Sequence, residues 1–80
     1  MRLDKFLKVS RLIKRRTVAN EACDAGKVTV GGKVARASLE VKPGDIIEIN
    51  MGKPLKIKVL KVADVIGKDG AADLYEVTGV

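Results

Sequence analysis

Histidine and tryptophan are absent from the 80-residue sequence, and cysteine occurs once, as Cys23. Without histidine, zinc sites of the Cys/His kind, Ser-His-Asp triads and Cys–His pairs are excluded. A single cysteine forms no internal disulfide, which is typical of a protein in a reducing compartment. No metal site is therefore expected, and Cys23 is interpreted as a small core residue rather than a reactive thiol.

Long apolar runs and phosphate-binding glycine loops are missing as well. No run approaches the ~20 apolar residues that span a bilayer, and no signal-peptide core follows the basic N-terminus. The glycine pairs at positions 31–32 and 67–70 lack the Lys-Ser/Thr ending of a P-loop. Composition alone leaves carboxylate or lysine catalysis open, but a chain of this size forms one small core without a cleft-forming second domain. We expect a cytoplasmic protein without enzymatic activity, cofactor or membrane contact.

Aromatic residues are nearly absent, since Phe6 and Tyr75 are the only ones. Phe6 falls on an apolar stripe and is predicted to be buried. A surface that stacks unpaired bases needs several exposed rings. If the ligand is a nucleic acid, the sequence therefore predicts recognition of its shape and backbone rather than base stacking.

Positive charge is present in excess, and the excess is confined to the first sixteen residues. The chain carries 16 Lys and Arg against 10 Asp and Glu, a formal net charge of +6. Beyond residue 16 the cations and anions balance at nine each. Clustered cations interleaved with apolar residues favour a folded face that attracts a polyanion, and the alternative is a merely solvated basic surface. The candidate RNA-binding residues are Arg2, Lys5, Lys8, Arg11, Lys14, Arg15 and Arg16.

Two short helices are predicted at the N-terminal end. Leu3, Phe6 and Leu7 recur at helical spacing, and Asp4 in the first turn suits the positive end of the helix dipole. A second helix is predicted to begin between positions 14 and 17 and to end at Gly26, which supplies a left-handed C-terminal cap. Its buried stripe is predicted to comprise Val18, Ala19, Ala22 and Cys23.

After Gly26 the hydrophobic period changes to two, which indicates strands. Residues 28–35 predict a hairpin around Gly31-Gly32, because consecutive glycines permit the positive φ angles of a type I′ turn. Pro43-Gly44 occupies the centre of a predicted type II turn.

Three further strands are predicted over residues 46–49, 55–59 and 74–77. The apolar positions shift at Leu60 and Val62, which predicts a bulge or a strand that wraps two surfaces. A polar loop is predicted between Asp64 and Asp73.

The order of elements predicts an α+β fold, with two short N-terminal helices packed on a small antiparallel β-sheet. Helices of this length are not stable alone in water, so each must dock its apolar stripe on the sheet. We expect one domain over residues 1–80, with a motif core at 1–50 and additional strands at 51–80.

Three features together resemble the RNA-binding domain named for ribosomal protein S4, also called the αL motif. They are Arg2-Leu3-Asp4 before a short helix, Arg15-Arg16 opening a second helix that ends in Gly26, and Val28-Thr29-Val30-Gly31-Gly32-Lys33 followed by Pro43-Gly44-Asp45. Many members have Asn where Gly31 stands, and both residues suit a type I′ turn. Among stand-alone members, the run from Met1 to Thr17 is most similar to small bacterial S4 proteins of ribosome-associated quality control.

The resemblance implies a non-enzymatic protein that binds RNA on stalled large ribosomal subunits. The partners that it implies are the rRNA of the large subunit, peptidyl-tRNA and a quality-control tailing factor that adds C-terminal alanine; a monomer is expected. Arg2, Arg15 and Arg16 are predicted to contact phosphate, with the other N-terminal cations as supporting charge. Asp4 and Thr17 are assigned structural roles, and Asp4 is predicted to cap the first helix and to orient a cation such as Arg16.

Two other functions fit a pair of short basic helices. One is a small DNA-binding protein, since such a pair can mimic a helix-turn-helix. The other is an adaptor that uses the same basic face against an acidic protein. Lys56, Lys58 and Lys61 are predicted to lie on a solvated strand face rather than in a second binding site.

Overall fold

Two helices, α1 (Leu3–Val9) and α2 (Arg16–Asp24), pack against a five-stranded antiparallel sheet in the computed structural model. The model describes residues 1–63 and 70–79. The strands lie side by side in the order β2-β1-β3-β4-β5. Their bounds are Val28–Val30 for β1, Lys33–Val34 for β2, Ile46–Met51 for β3, Lys53–Val59 for β4 and Tyr75–Gly79 for β5. The predicted α+β fold class is confirmed.

The core lies between the helices and one face of the sheet. Leu3, Phe6 and Leu7 of α1 are wholly buried, as predicted from their spacing. From α2, Ala19, Ala22 and Cys23 are buried, while Val18 is half-buried at the edge of the cluster. On β3 and β4 burial alternates along each strand, because successive side chains point to opposite faces. The core side chains of these two strands are Ile47, Ile49, Ile57 and Val59.

The predicted end of α2 and the predicted β1–β2 turn both form at glycines that hold positive φ angles. Gly26 has φ 75° directly after α2, and the N–H groups of Gly26 and Lys27 donate to the carbonyls of Cys23 and Ala22. This is the Schellman arrangement of a helix C-terminus. Gly31 and Gly32, at φ 61° and 84°, join β1 to β2 as a type I′ turn.

At Leu60 and Val62 the structure has neither of the two predicted features, a bulge or a strand that wraps two surfaces. Strand β4 ends at Val59, and the backbone N–H of Leu60 donates to the carbonyl of Leu74 at 2.8 Å. This hydrogen bond continues the antiparallel register of Val59 and Tyr75 by one residue, and beyond it the side chains of Leu60 and Val62 are partly exposed. The register irregularity lies earlier, at Lys56/Ile57 in the pairing of β4 with β5.

The predicted loop from Asp64 to Asp73 lies partly outside the described residues, since positions 64–69 are not among them. Residues Ala71–Leu74 form a 3₁₀ turn, and Leu74 at its end is wholly buried. The last strand therefore begins at Tyr75, one residue later than predicted. Within the described residues, no helix is both long and apolar enough to cross a membrane.

Candidate nucleic-acid interface

The buried carboxylate of Asp4 is the centre of the N-terminal basic surface. The Asp4 side chain is 3% exposed, whereas those of Arg2 and Arg16 are 51% and 44% exposed. Arg2 Nε lies 3.2 Å from Asp4 Oδ1, and Arg16 Nε lies 3.4 Å from Asp4 Oδ2. Asn20 Nδ2 donates to Asp4 Oδ2 at 3.4 Å. One carboxylate therefore holds two arginines whose heads reach solvent.

The ionisation of Asp4 is favoured by these same contacts. Burial raises the pKa of Asp4, but hydrogen bonds from Arg16, Asn20 and the backbone N–H of Lys5, together with the positive charge of Arg16, outweigh it and lower the pKa below 3.8. Asp4 is therefore a carboxylate at neutral pH. Its negative charge holds the side chains of Arg2 and Arg16. Because the carboxylate is buried, a polyanion at the surface does not contact it.

The predicted capping role of Asp4 takes a different form from an N-cap. The N-cap residue of α1 is Arg2, which makes no side-chain cap hydrogen bond. Asp4 lies inside the first turn, where its Oδ1 accepts the N–H of Lys5 at 2.8 Å. The N–H groups of Leu3 and Asp4 donate to the carbonyls of Leu39 and Ala37 at 2.8 and 3.2 Å. The start of α1 is thus fully hydrogen-bonded within the protein.

The start of α2 differs, since its first backbone donors face solvent. Its N-cap residue, Arg15, makes no side-chain cap hydrogen bond, and the first N–H with an acceptor is that of Ala19, which donates to the carbonyl of Arg15. Within the described residues, no acceptor takes the N–H groups of Arg16, Thr17 and Val18. Arg15, Arg16 and Thr17 are all exposed, so cationic side chains and unpaired backbone donors meet at one helix end.

Four other predicted cations, Lys8, Arg11, Lys14 and Arg15, have no ion pair with the part of the chain that the structure describes. Lys8 is exposed in the last turn of α1, and Arg11, Lys14 and Arg15 are exposed in and after the connection to α2. None of these four makes an ion pair within 4.0 Å with the described residues. Lys5 is half-buried beside Asp4.

Arg11 adopts an unusual backbone conformation. Its φ is 63°, the left-handed region that disfavours residues with a side chain, and its N–H donates to the carbonyl of Lys8 at 3.0 Å. The same turn is fixed by Ile13, whose N–H donates to the carbonyl of Leu7. An arginine thus occupies the helix-ending position that glycine or asparagine usually fills.

Sequence reasoning missed Asn20 and gave Thr17 a role without a visible partner. Asn20 lies four residues after Arg16, so the two side chains share one face of α2 and reach the same carboxylate. That spacing was the available signal. Thr17 lines a shallow groove with Asp4, Arg16, Asn20 and Glu21. Its hydroxyl makes no hydrogen bond with the described residues, and its assigned role stays a prediction.

Comparison with known proteins gives consistent matches. The S4 domain family model matches residues 1–47. The chain is 53% identical over 78 residues to a protein of Halalkalibacterium halodurans named RQC P-site tRNA stabilizing factor, covering 96% of this chain and 89% of that protein. It is 49% identical to the Bacillus subtilis protein of the same name, covering 96% and 91%. The structure of Vibrio cholerae Heat Shock Protein 15, described as trimeric, matches with a TM-score of 0.90 at 32% identity, covering 98% of this chain and 81% of that one.

Proposed function

The chain belongs to the S4 domain family, and we propose that it is a non-enzymatic RNA-binding protein of ribosome-associated quality control. It binds rRNA and tRNA on large ribosomal subunits that still hold peptidyl-tRNA, and it steadies that tRNA in the cytoplasm. A tailing factor meanwhile adds alanine to the C-terminus of the stalled chain. Relatives named RQC P-site tRNA stabilizing factor support the assignment over nearly the whole length of this chain.

The observation that carries the proposal is the pair of arginines held on the buried carboxylate of Asp4. Arg2 and Arg16 present their guanidinium groups at the surface in fixed positions, and guanidinium is suited to forked contacts with phosphate. Arg15 and the unpaired N–H groups of α2 lie beside them. Such a surface fits the backbone of a folded RNA, since the two aromatic residues of the chain are too few for base stacking.

The test is the dependence of tRNA affinity on salt. If about four to six phosphates are engaged, the slope of log affinity against log salt lies near about −3 to −5. Affinity then falls roughly 100- to 1,000-fold between 50 and 200 mM salt. Replacing Arg15 and Arg16 together with Ala flattens the slope by about 1.5, the share of two phosphates.

The matched control removes two cations from the outer face of the sheet. Lys56 and Lys58 are exposed on β4 and lie opposite Glu48 and Glu76 in the strand register, so their charges are locally balanced. Lys56→Ala/Lys58→Ala leaves the slope unchanged. A slope that responds to the lysine pair and not to the arginine pair contradicts the proposed surface.

Three further measurements separate the alternative functions. Binding to a duplex DNA of equal charge at equal affinity contradicts RNA selectivity. Loss of co-sedimentation with large subunits after nuclease treatment is expected of an RNA-dependent factor, whereas an adaptor stays with its protein partner. Sedimentation velocity tests the proposed monomer against the trimer described for the Vibrio cholerae protein.

A further inference from the structure

A second charged groove is lined in part by the segment that contacts the start of α1. It is bounded by the β1–β2 hairpin and by residues 36–42, and about 570 Å³ of open space lies within it. Three cations line it: Lys33, Arg36 and Lys42. None of them belongs to the basic segment of residues 1–16, and none contributes to the surface proposed above.

The cations of this groove are unpaired, while its carboxylates are engaged. Lys33, Arg36 and Lys42 make no ion pair within 4.0 Å with the described residues. Glu40 lies 4.0 Å from the N-terminal ammonium of Met1, and Asp45 Oδ2 accepts the backbone N–H of Lys42 at 2.9 Å. Three cations against two carboxylates give the lining residues a net charge of +1, although the chain beyond residue 16 is neutral as a whole.

Apolar side chains are exposed beside these charges. Val34 is 66% exposed and Leu39 is 39% exposed, and both line the groove. A single exposed apolar side chain is ordinary on a protein surface. Two in one groove with three unpaired cations fit a ligand that carries both negative charge and apolar faces.

The groove adjoins the Asp4 centre, which is the Asp4 carboxylate with Arg2 and Arg16, through direct backbone contacts. The N–H groups of Leu3 and Asp4 donate to the carbonyls of Leu39 and Ala37, so residues 37–41 run alongside residues 1–4. Leu39, which accepts the N–H of Leu3, also lines the groove. Glu40, another lining residue, forms an isolated β-bridge with Arg2, so the groove and Arg2 share one short stretch of backbone pairing.

We propose that this groove is a second contact surface for the RNA bound at the Asp4 centre. RNA phosphates lie against Lys33, Arg36 and Lys42, and a ribose or base face covers Val34 and Leu39. A nucleic-acid strand fits better than an acidic peptide, because a ligand that spans both surfaces must carry negative charge at short, regular intervals along its whole length. The inference rests on the proposed RNA-binding function and extends its footprint beyond the N-terminal segment.

The experiment compares charge-removing double variants of equal size. In Lys33→Gln/Arg36→Gln, two groove cations are lost; in Lys56→Gln/Lys58→Gln, two cations of the outer sheet face are lost. Both variants change net charge equally, and all four positions are exposed, so both are expected to keep the wild-type urea midpoint. The measured quantity is the affinity for a tRNA transcript between 50 and 300 mM salt.

We expect the groove variant to flatten the salt slope by about 1.5, which corresponds to about 30-fold weaker binding at 0.1 M salt if the two lines meet near 1 M. The sheet variant should change the slope by less than about 0.5, because Lys56 and Lys58 are expected to contact no phosphate. A groove variant that behaves like the sheet variant overturns the inference.

The Arg15→Ala/Arg16→Ala variant distinguishes this failure from failure of the proposed function. If that variant flattens the slope and the groove variant does not, RNA binding stands and the groove is not part of it. If neither does, the RNA-binding proposal itself fails, and the inference with it. Binding of poly-glutamate that depends on Lys33 and Arg36, with an unchanged tRNA slope, overturns the RNA assignment in favour of an acidic protein ligand.

Discussion

Replacing Asp4 by asparagine separates the effect of net charge from the effect of geometry. The substitution removes the one negative charge of the first sixteen residues, so their sum rises from +6 to +7. On net charge alone, RNA binding becomes tighter. The same substitution removes the carboxylate that holds Arg2 at 3.2 Å and Arg16 at 3.4 Å. We expect binding to become weaker.

The magnitude of this weakening follows from the conformational freedom that the Arg2 and Arg16 side chains gain when Asp4 no longer holds them. Each side chain released from Asp4 must be ordered again on binding, at a cost of about 0.5–1.5 kcal/mol. For Arg2 and Arg16 together this is about 1–3 kcal/mol, or about 5- to 150-fold in affinity. Removal of the negative charge of Asp4 returns about 1 kcal/mol at most. The net cost is then about 0–2 kcal/mol, so the Kd for tRNA should rise by up to about 30-fold.

The fold itself should lose part of its stability in Asp4→Asn. The amide oxygen of asparagine can still accept the N–H of Lys5, but the attraction between opposite charges is lost. Hydrogen bonds to a charged group contribute about 1.5–3 kcal/mol each when buried. Since the Arg2 and Arg16 side chains are 51% and 44% exposed, solvent screening reduces the loss to about 1–2 kcal/mol in total.

The assay is tRNA binding by fluorescence anisotropy, with urea unfolding to confirm that each variant is folded. The control is Asp24→Asn, which removes the same charge at the exposed end of α2. Asp24→Asn should bind tRNA as well as wild type or slightly better. If Asp4→Asn binds as tightly as Asp24→Asn, net charge governs affinity and the arginines are not pre-positioned.

Two further predictions concern stability. The folded-state pKa of Asp4 is lowered below 3.8, so its ionised form stabilises the fold above pH 3.8, and that stabilisation is lost as pH falls through the lower folded value. The difference in urea midpoint between wild type and Asp4→Asn should therefore be constant from about pH 5 to 8 and shrink as the pH falls below about 4, and a difference that does not shrink with falling pH refutes the ion-pair explanation. Arg11→Gly should stabilise the fold by about 1 kcal/mol by relieving the φ of 63°, and Arg11→Ala should not. Both substitutions should weaken tRNA binding equally if the Arg11 guanidinium contacts RNA. If Arg11→Gly is no more stable than Arg11→Ala, the φ of Arg11 does not strain the backbone.

The features that were predictable from the sequence are those with local causes. The helical spacing of Leu3, Phe6 and Leu7 and the glycine at position 26 each act within a few residues, so their signals survive without knowledge of the fold. The type I′ turn at Gly31-Gly32 is equally local, because positive φ at two consecutive positions is a property of the residues themselves.

The features that were not predictable depend on contacts between distant parts of the chain. The register irregularity at Lys56/Ile57 belongs to the pairing of β4 with β5, two strands that are separated along the chain by residues 60–74. Asn20 reaches Asp4 across a separation of sixteen residues. Residues 37–41 pair with residues 1–4, and no periodicity in either stretch predicts that pairing.

The two helices have similar lengths and basic surroundings, yet their first turns are suited to different tasks. At the start of α1, the backbone N–H groups of Leu3 and Asp4 donate to the carbonyls of Leu39 and Ala37. These hydrogen bonds anchor the helix to the segment between β2 and β3. At α2 the first donors have no acceptor within the described residues, and Arg15 and Arg16 stand beside them. An anion gains from unpaired N–H groups and a positive helix end only where both are open to solvent. The phosphate contacts proposed for α2 therefore depend on the anchoring of α1, because α1 must be anchored for the Asp4 carboxylate to hold Arg16 at the start of α2.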